Sequence, residues 1–300
     1  MKKVFLITID TEGDNIWDKT KITEKITTKN ARYLFRFQEL CEKYDFIPTY
    51  LTNYEMMHDD AMIALGREGV KRKTLEIGAH LHSWNQPPYF PLIKRFGERG
   101  MPYAGEYPKM IVQNKIHYLT KELQDVFQCD IKSHRGGRWF LNYSIVNYLD
   151  QMGYTVDCTC TPGIDWRCTR GWSMFSRGTN WSRFNNTPFY LYDSSVMEIP
   201  VSIISINNNG YYSWLRPSLN NLREMKKLLD VLYKENIYAE FMLHSSELMP
   251  GGSPWFNNSG KIEQLYSNII GIFDYARALG FEGMSLKEYA EYLNEQKSCV

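Results

Sequence analysis

The 300-residue sequence has no surplus of charge: 35 Lys+Arg stand against 34 Asp+Glu, for a net charge of +1. No basic block is present that could neutralise a row of phosphates, which argues against nucleic acid as a partner. No apolar run approaches the roughly 20 residues of a membrane span. The opening segment MKKVFLITIDTEGD is too short in its apolar part for a secretion signal and lacks a small-residue cleavage site. The expected location is therefore the cytoplasm. Internal repeats, low-complexity tracts and linker-like stretches are also missing, so residues 1–300 read as one domain. Paired cysteine knuckles are absent too. The CTC at 158–160, with Cys168 beyond, is a single loose cluster, and reduced, partly buried thiols are the better reading.

Aromatics, by contrast, are plentiful, at 15% of residues with 21 Tyr and 8 Trp. Many fall in polar, Gly/Pro-rich stretches such as SWNQPPYF, GWSMFSRGTNWSRF and PGGSPWF. Flat rings with polar tips on loops suit carbohydrate faces and also interfaces.

Along the chain, strand-like and helix-like patterns alternate. KVFLITID is a continuous apolar run, as expected of a strand buried on both faces. FIPTYLTN, LEIGAHLH, the segment ending in SHRGG, YTVDCTC, VMEIPVSII and AEFMLHS are the further strands, and a short strand and a terminal helix finish the chain. Helical spacing is seen between them, at 108–128, 142–152, 217–235 and 261–279 among others. Irregular inserts fill roughly 83–107 and 161–194. This order predicts an α/β fold with about seven parallel strands in a closed or nearly closed (β/α) barrel.

The polar residues of interest follow or end these strands. All strand carboxyl ends of such a barrel open on one face, where chemistry is done. His80 and His82 lie two apart on an extended segment, so their rings point the same way. With one carboxylate they form a common catalytic set for a divalent ion. Either Glu12 or Asp14 of DTEGD could supply that carboxylate. Glu12 is preferred for its reach, and Asp14 suits a turn cap. Asp10, closing the buried strand, is the candidate general base, and Arg135 beside two glycines would keep it ionised. His244 closes another apolar strand, where a histidine needs a partner. It is the candidate general acid, with Asp165 of GIDWR as the carboxylate expected to hold it protonated. His134 points away from Arg135 and reads as structural, while His58 and His117 read as surface residues. Arg138 is a surface or substrate contact.

Taken in order, ITIDTEGD, EIGAHLH, SHRGGRW, GIDWR and FMLHS resemble the five motifs of the polysaccharide deacetylases, the NodB-homology group or carbohydrate esterase family four. The resemblance spans about residues 4–250. It implies a distorted or incomplete (β/α) barrel, a divalent metal (zinc foremost, with cobalt, nickel or manganese as alternatives) and hydrolysis of an N-acetyl or related acyl group on an amino sugar. By position it makes Asp10 the base, Glu12, His80 and His82 the metal ligands, Arg135 the residue orienting the base, and His244 the acid. Asp165 and Trp166 match the fourth motif, and Leu243 is assigned to an acyl pocket. Trp84, Trp139, Trp166, Trp255 and Arg138 are the expected sugar contacts. Three departures stand out. Thr11 separates the two acidic positions, the histidines are two apart rather than four, and Gly137-Arg138 replaces a common Pro-Tyr. HSSELMPGGSPW is similar to members placed in bacterial surface-polysaccharide (O-antigen, lipopolysaccharide) assembly, which implies a nucleotide- or lipid-linked sugar. Two other functions fit less well: hydrolysis of a non-sugar amide such as a ureide or cyclic imide, and a decayed module that binds glycan without turnover.

Overall fold

In a computed structural model of the chain, residues 2–15, 26–90, 101–205 and 212–298 are described. Residues 91–100 of the first insert and Cys299 lie outside them.

The apolar opening run forms β1 (Val4–Thr11), every residue of which is buried. There follow α1 (Leu34–Lys43), β2 (Thr49–Thr52), α2 (Asp60–Arg72), β3 (Glu76–Leu81), α3 (Lys109–Phe127), β4 (Ser133–Gly136), α4 (Tyr143–Gln151) and β5 (Val156–Asp157). The chain continues through β6 (Phe189–Tyr190), β7 (Met197–Glu198), β8 (Ile203–Ser205), β9 (Tyr212–Trp214) and α5 (Leu222–Lys234). It ends with β10 (Ala239–His244), α6 (Ser259–Ala278), β11 (Glu282–Gly283) and α7 (Leu286–Ser298). Asp59, Asn142, Asn221 and Asn258 cap helices by accepting backbone N–H groups. The Asn221 cap is why α5 begins later than the helical spacing at 217–235 suggests.

The main sheet runs β10-β1-β2-β3-β4-β5-β7-β6. Its neighbours are parallel from β10 to β7, and β11 adds a parallel pair at the start of β1. The expected distorted (β/α) barrel is therefore present, as a curled, mostly parallel sheet that forms a half-barrel with surrounding helices. Two features were not foreseen. β6 returns antiparallel to β7, and β8 pairs with β9 as a separate hairpin. Both lie in short segments without a period-2 pattern long enough to register. No helix among the described residues is long and apolar enough to cross a membrane.

Strand alternation sorts side chains into two sets. Phe5, Ile7, Ile9, Phe241 and Leu243 join the main core, which also holds α6 residues such as Phe273. Val4, Leu6, Leu51, Val156 and Met197 fill the barrel's interior floor, closed by Leu286, Tyr289 and Ala290 of α7. Each such side chain contributes about 1.5–3 kcal/mol on burial. That apolar floor compensates for the ionic layer immediately above it, whose desolvation is costly.

Candidate metal centre and active site

β1 and β10 run in register with Asp10 opposite His244, and β3 and β4 with His80 opposite Arg135. These four side chains, together with Glu12 and His82, meet at the carboxyl end of the sheet. All six are at most 8% exposed.

The lowest layer is ionic. The Arg135 guanidinium is fully buried and has four acceptors. Nη1 donates to Asp10 Oδ1 at 2.6 Å, and Nη2 to Glu240 Oε1 at 2.9 Å and Thr8 Oγ1 at 3.0 Å. Nε donates to the Cys158 carbonyl at 2.9 Å. Thr8 Oγ1 also donates to Glu240. Burial alone would raise the Asp10 carboxyl, but Arg135, with His80 and His244, outweighs it and holds Asp10 below the usual range. Glu240 is raised, because burial exceeds what Arg135 returns.

Above it, Glu12 Oε2 lies 2.7 Å from His82 Nε2 and 3.5 Å from His80 Nε2, and the two Nε2 atoms are 2.9 Å apart. His80 Nδ1 lies 3.0 Å from the Arg135 carbonyl oxygen. A carbonyl only accepts, so Nδ1 carries the proton and Nε2 presents its lone pair to the cluster. His82 stacks on Trp84 at 4.2 Å, and Asn53 Nδ2 stands 3.4 Å from its Nδ1. A Cβ on Gly137 would sit 2.7 Å from both His82 Cδ2 and the Leu81 carbonyl, so only glycine permits this approach. Among the described residues, Glu12, His80 and His82 form the one acidic–histidine group compact enough for a metal ion. Two nitrogens and one oxygen, buried and converging, fit a divalent ion that keeps an open position.

Local structure fixes Glu12. Ser245 Oγ accepts from Glu12 N at 3.1 Å, and Asn30 Nδ2 donates to the Glu12 carbonyl at 2.9 Å. Asp14, the alternative carboxylate, is engaged elsewhere. It accepts from Thr27 Oγ1, Lys29 N, Asn30 N and Asn30 Nδ2, which ties down the loop.

His244 Nε2 faces Glu12 Oε1 at 3.4 Å and Asp10 Oδ2 at 3.6 Å. Its partners on the far side differ from expectation. Arg216 Nη2 donates to Nδ1 at 2.8 Å and to Glu247 Oε1 at 3.0 Å, while Glu247 Oε2 accepts from His244 N at 2.8 Å. Burial would raise Glu247, but Arg216 and His244 hold it down at about 2. Asp165 is not brought to His244. Its carboxylate is paired with Arg167 at 2.6 Å on an exposed loop. The reason is distance along the chain: β5 ends at Asp157, and the turn to Asp165 carries it outward.

Leu243 is a second correction. On an extended strand it points away from His244, into the main core. Met242 takes the inward position and packs with Trp214, Val201 and Ile203 beside Trp139 and Trp166. The remaining expected contacts sit on the rim. Trp139 lies 5.2 Å from the Arg135 guanidinium, Arg138 5.3 Å from the Tyr103 ring, and Trp255 5.9 Å from the Arg216 guanidinium. Trp166 bonds Thr161 Oγ1 through Nε1. His134 pairs with Asp157 at 2.5 Å on the outer face of the sheet, and His58 and His117 are exposed, as expected.

Sequence reading missed Arg216, Glu247, Glu240 and Glu55. Glu240 carried a usable signal: a charged residue four before His244 on one strand must share its face. Arg216 carried none, since its place depends on how the chain leaves β9. Glu55 lies beside Gly13 and accepts from Asn85 Nδ2 at 2.8 Å. Burial, with the nearby Glu12 charge, raises its carboxyl to about 7.

No protein-family model matches the chain, and no curated protein matches its sequence. Solved structures do match its fold. A Mycobacterium smegmatis protein assigned as a polysaccharide deacetylase is similar over 99% of this chain and 92% of its own, with TM-score 0.62 and 13% identity. An allantoinase, PuuE, is similar over 97% and 89%, with TM-score 0.55 and 12% identity. A 4-alpha-glucanotransferase from Thermococcus litoralis is similar over 97% of this chain but 38% of its own, with TM-score 0.57 and 14% identity. The chain thus has the fold of the polysaccharide deacetylases.

Proposed function

We propose that this chain, built on the polysaccharide deacetylase fold, is a metal-dependent hydrolase that removes an N-acetyl or related acyl group from an amino sugar. The observation that carries the reading is the convergence of a base, an acid and a metal-ligating trio on one strand-end face. Asp10 is held ionised by Arg135, His244 stands 3.6 Å from it, and the compact trio Glu12, His80 and His82 adjoins both, with Glu12 Oε1 3.4 Å from His244 Nε2 and His80 Nε2 3.9 Å from Asp10 Oδ2.

Glu12, His80 and His82 would hold the divalent ion, zinc foremost. When bound, such an ion lowers the pKa of water and polarises an acyl oxygen. The chain's own groups do the rest. Asp10 Oδ2 accepts the proton of the attacking water, and Arg135 keeps that carboxylate charged and oriented. His244 Nε2 delivers a proton to the departing sugar amine. The proton taken by Asp10 restores it, so the count balances. Trp84, Trp139 and Trp255 on the rim offer faces for the sugar ring. The similarity of HSSELMPGGSPW supports a sugar destined for a bacterial surface polysaccharide.

The test is release of acetate from N-acetylated sugars, free, nucleotide-linked and lipid-linked, with allantoin and cyclic imides assayed in parallel. Turnover of an acyl sugar is expected. Turnover of the ureide or imide alone would overturn the reading in favour of a non-sugar amidohydrolase. Glycan binding without metal and without turnover would mark a binding module.

A further inference from the structure

The loop after β5 forms a hairpin with an apolar tip and a cationic stem. Arg170 and Arg177 face each other across an antiparallel bridge, and Gly171 N donates to the Ser176 carbonyl at 3.1 Å. Between them, Trp172, Met174 and Phe175 are 54%, 79% and 87% exposed. A lone exposed apolar residue is ordinary, whereas three large ones within four positions on one tip are not. The tip is also anchored. Glu106 Oε1 accepts from Trp172 N at 2.7 Å and Ser173 N at 2.8 Å, and Tyr103 OH bonds Thr169 Oγ1 at 2.5 Å. Gly178 packs so tightly on Trp166 that a Cβ would lie 2.5 Å from it. The fold therefore holds these side chains out into water.

The surrounding charge is mainly positive, although the Glu106 carboxylate sits on the hairpin backbone. Between residues 164 and 186 stand Arg167, Arg170, Arg177 and Arg183 against the single acid Asp165. All four arginines are exposed, and Asp165 is paired with Arg167. Among the described residues, no carboxylate pairs with the other three. An apolar tip containing Trp, on a stem that carries exposed Arg170 and Arg177, matches a bilayer interface with anionic headgroups: rings among the headgroups, guanidiniums on the phosphates. The hairpin is linked to the candidate site by a short run of side-chain contacts. Tyr103, which bonds its stem, carries the Arg138 guanidinium on its ring, and the adjacent Trp139 lies against Arg135.

We propose that hairpin 169–178 docks the protein on an anionic bilayer, with Trp172, Met174 and Phe175 entering the headgroup layer, so that the site meets an acyl sugar carried on a membrane lipid. The substrate part rests on the deacetylase reading, but the docking does not.

The test uses the full chain with vesicles of phosphatidylcholine, alone or mixed with an equal share of phosphatidylglycerol, read by co-sedimentation. Binding is expected to the mixed vesicles and to weaken as salt rises. Replacing Trp172, Met174 and Phe175 together by Ser is expected to weaken binding about tenfold or more. Arg170→Gln and Arg177→Gln are expected to cost about fivefold each. Both sets are expected to keep wild-type melting and turnover of a soluble acyl sugar. Absence of vesicle binding by the wild type, or unchanged binding by the variants, overturns the proposal. So does a dimer in sedimentation that the Ser variant abolishes, since the tip would then be a subunit contact. A raised KM for soluble oligosaccharide with vesicle binding unchanged would make the tip a glycan grip instead. If no acyl sugar is turned over but the variants still lose vesicle binding, the docking stands and the deacetylase reading fails.

Discussion

Arg216 Nη2 donates to His244 Nδ1 at 2.8 Å. An arginine cannot accept, so Nδ1 must present its lone pair. The ring proton therefore sits on Nε2, the nitrogen that faces Asp10 and Glu12. Arg216 is thus a positioning residue for the proposed acid.

Removing that donor with Arg216→Met is expected to lower kcat on an N-acyl sugar about 100-fold, the lower end of the effect of losing a general acid. KM should change little. An activated aryl acetate, whose leaving group needs no proton, should lose far less. An equal loss on both substrates would show that Arg216 acts on the fold and not on the proton at Nε2.

Arg135 joins Asp10, Glu240, Thr8 and the Cys158 carbonyl in one buried knot. Arg135→Met strands two carboxylates at once. Breaking a buried pair of this kind typically costs about 3–5 kcal/mol, which urea unfolding would register. Adding Glu240→Gln to that variant removes one stranded group and should recover part of the loss. A strictly additive double variant would contradict the coupling.

Metal addition should raise the melting temperature of the wild type, with about 2.7 kcal/mol gained at a hundredfold excess over Kd. Glu12→Gln and His82→Gln should abolish the shift, and a chelator should reverse it in the wild type. Asp14→Asn should loosen the 27–30 loop yet keep the shift, because Asp14 is spent on backbone and side-chain donors there. Loss of the shift in Asp14→Asn would return the ligand assignment to that residue.

Glu55 gives the fold a pH dependence. Its carboxyl is raised to about 7 from an ordinary 4.5 by burial and by the Glu12 charge. The folded state thus binds this proton more tightly than the unfolded chain. The resulting stability is complete below the ordinary value and is lost as pH rises through about 7. Glu55→Gln fixes the neutral form, so the variant should gain on the wild type by up to about 3 kcal/mol on the alkaline side. Denaturation at about pH 5 and about pH 8 checks this. An offset independent of pH would rule Glu55 out as the titrating group.

What was legible in the sequence was whatever depends on strand ends. Asp10, His80, Arg135 and His244 each close or nearly close a strand. A parallel barrel gathers such positions whatever lies between them, so their meeting could be foreseen, as could the approach of Glu12 and His82. The failures lie where that logic stops. Asp165 is eight residues beyond the end of a two-residue strand, where loop geometry decides its direction. Leu243 was assigned from resemblance against the alternation rule, which sends it to the opposite face from His244. Arg216 and Glu247 come from a turn after β9 and a 3-10 turn after β10. Their pairing is a tertiary event with no local pattern.

The register that sets Asp10 opposite His244 also bears on how the molecule is built. The first strand finds one of its neighbours only when the chain has returned from residue 239. Such long-range pairing belongs to slowly folding topologies. During synthesis Asp10 and Arg135 emerge well before β10, so a nascent chain holds the proposed base and its arginine without the proposed acid. The proposed hydrolytic competence would therefore appear only with closure of the β1–β10 seam.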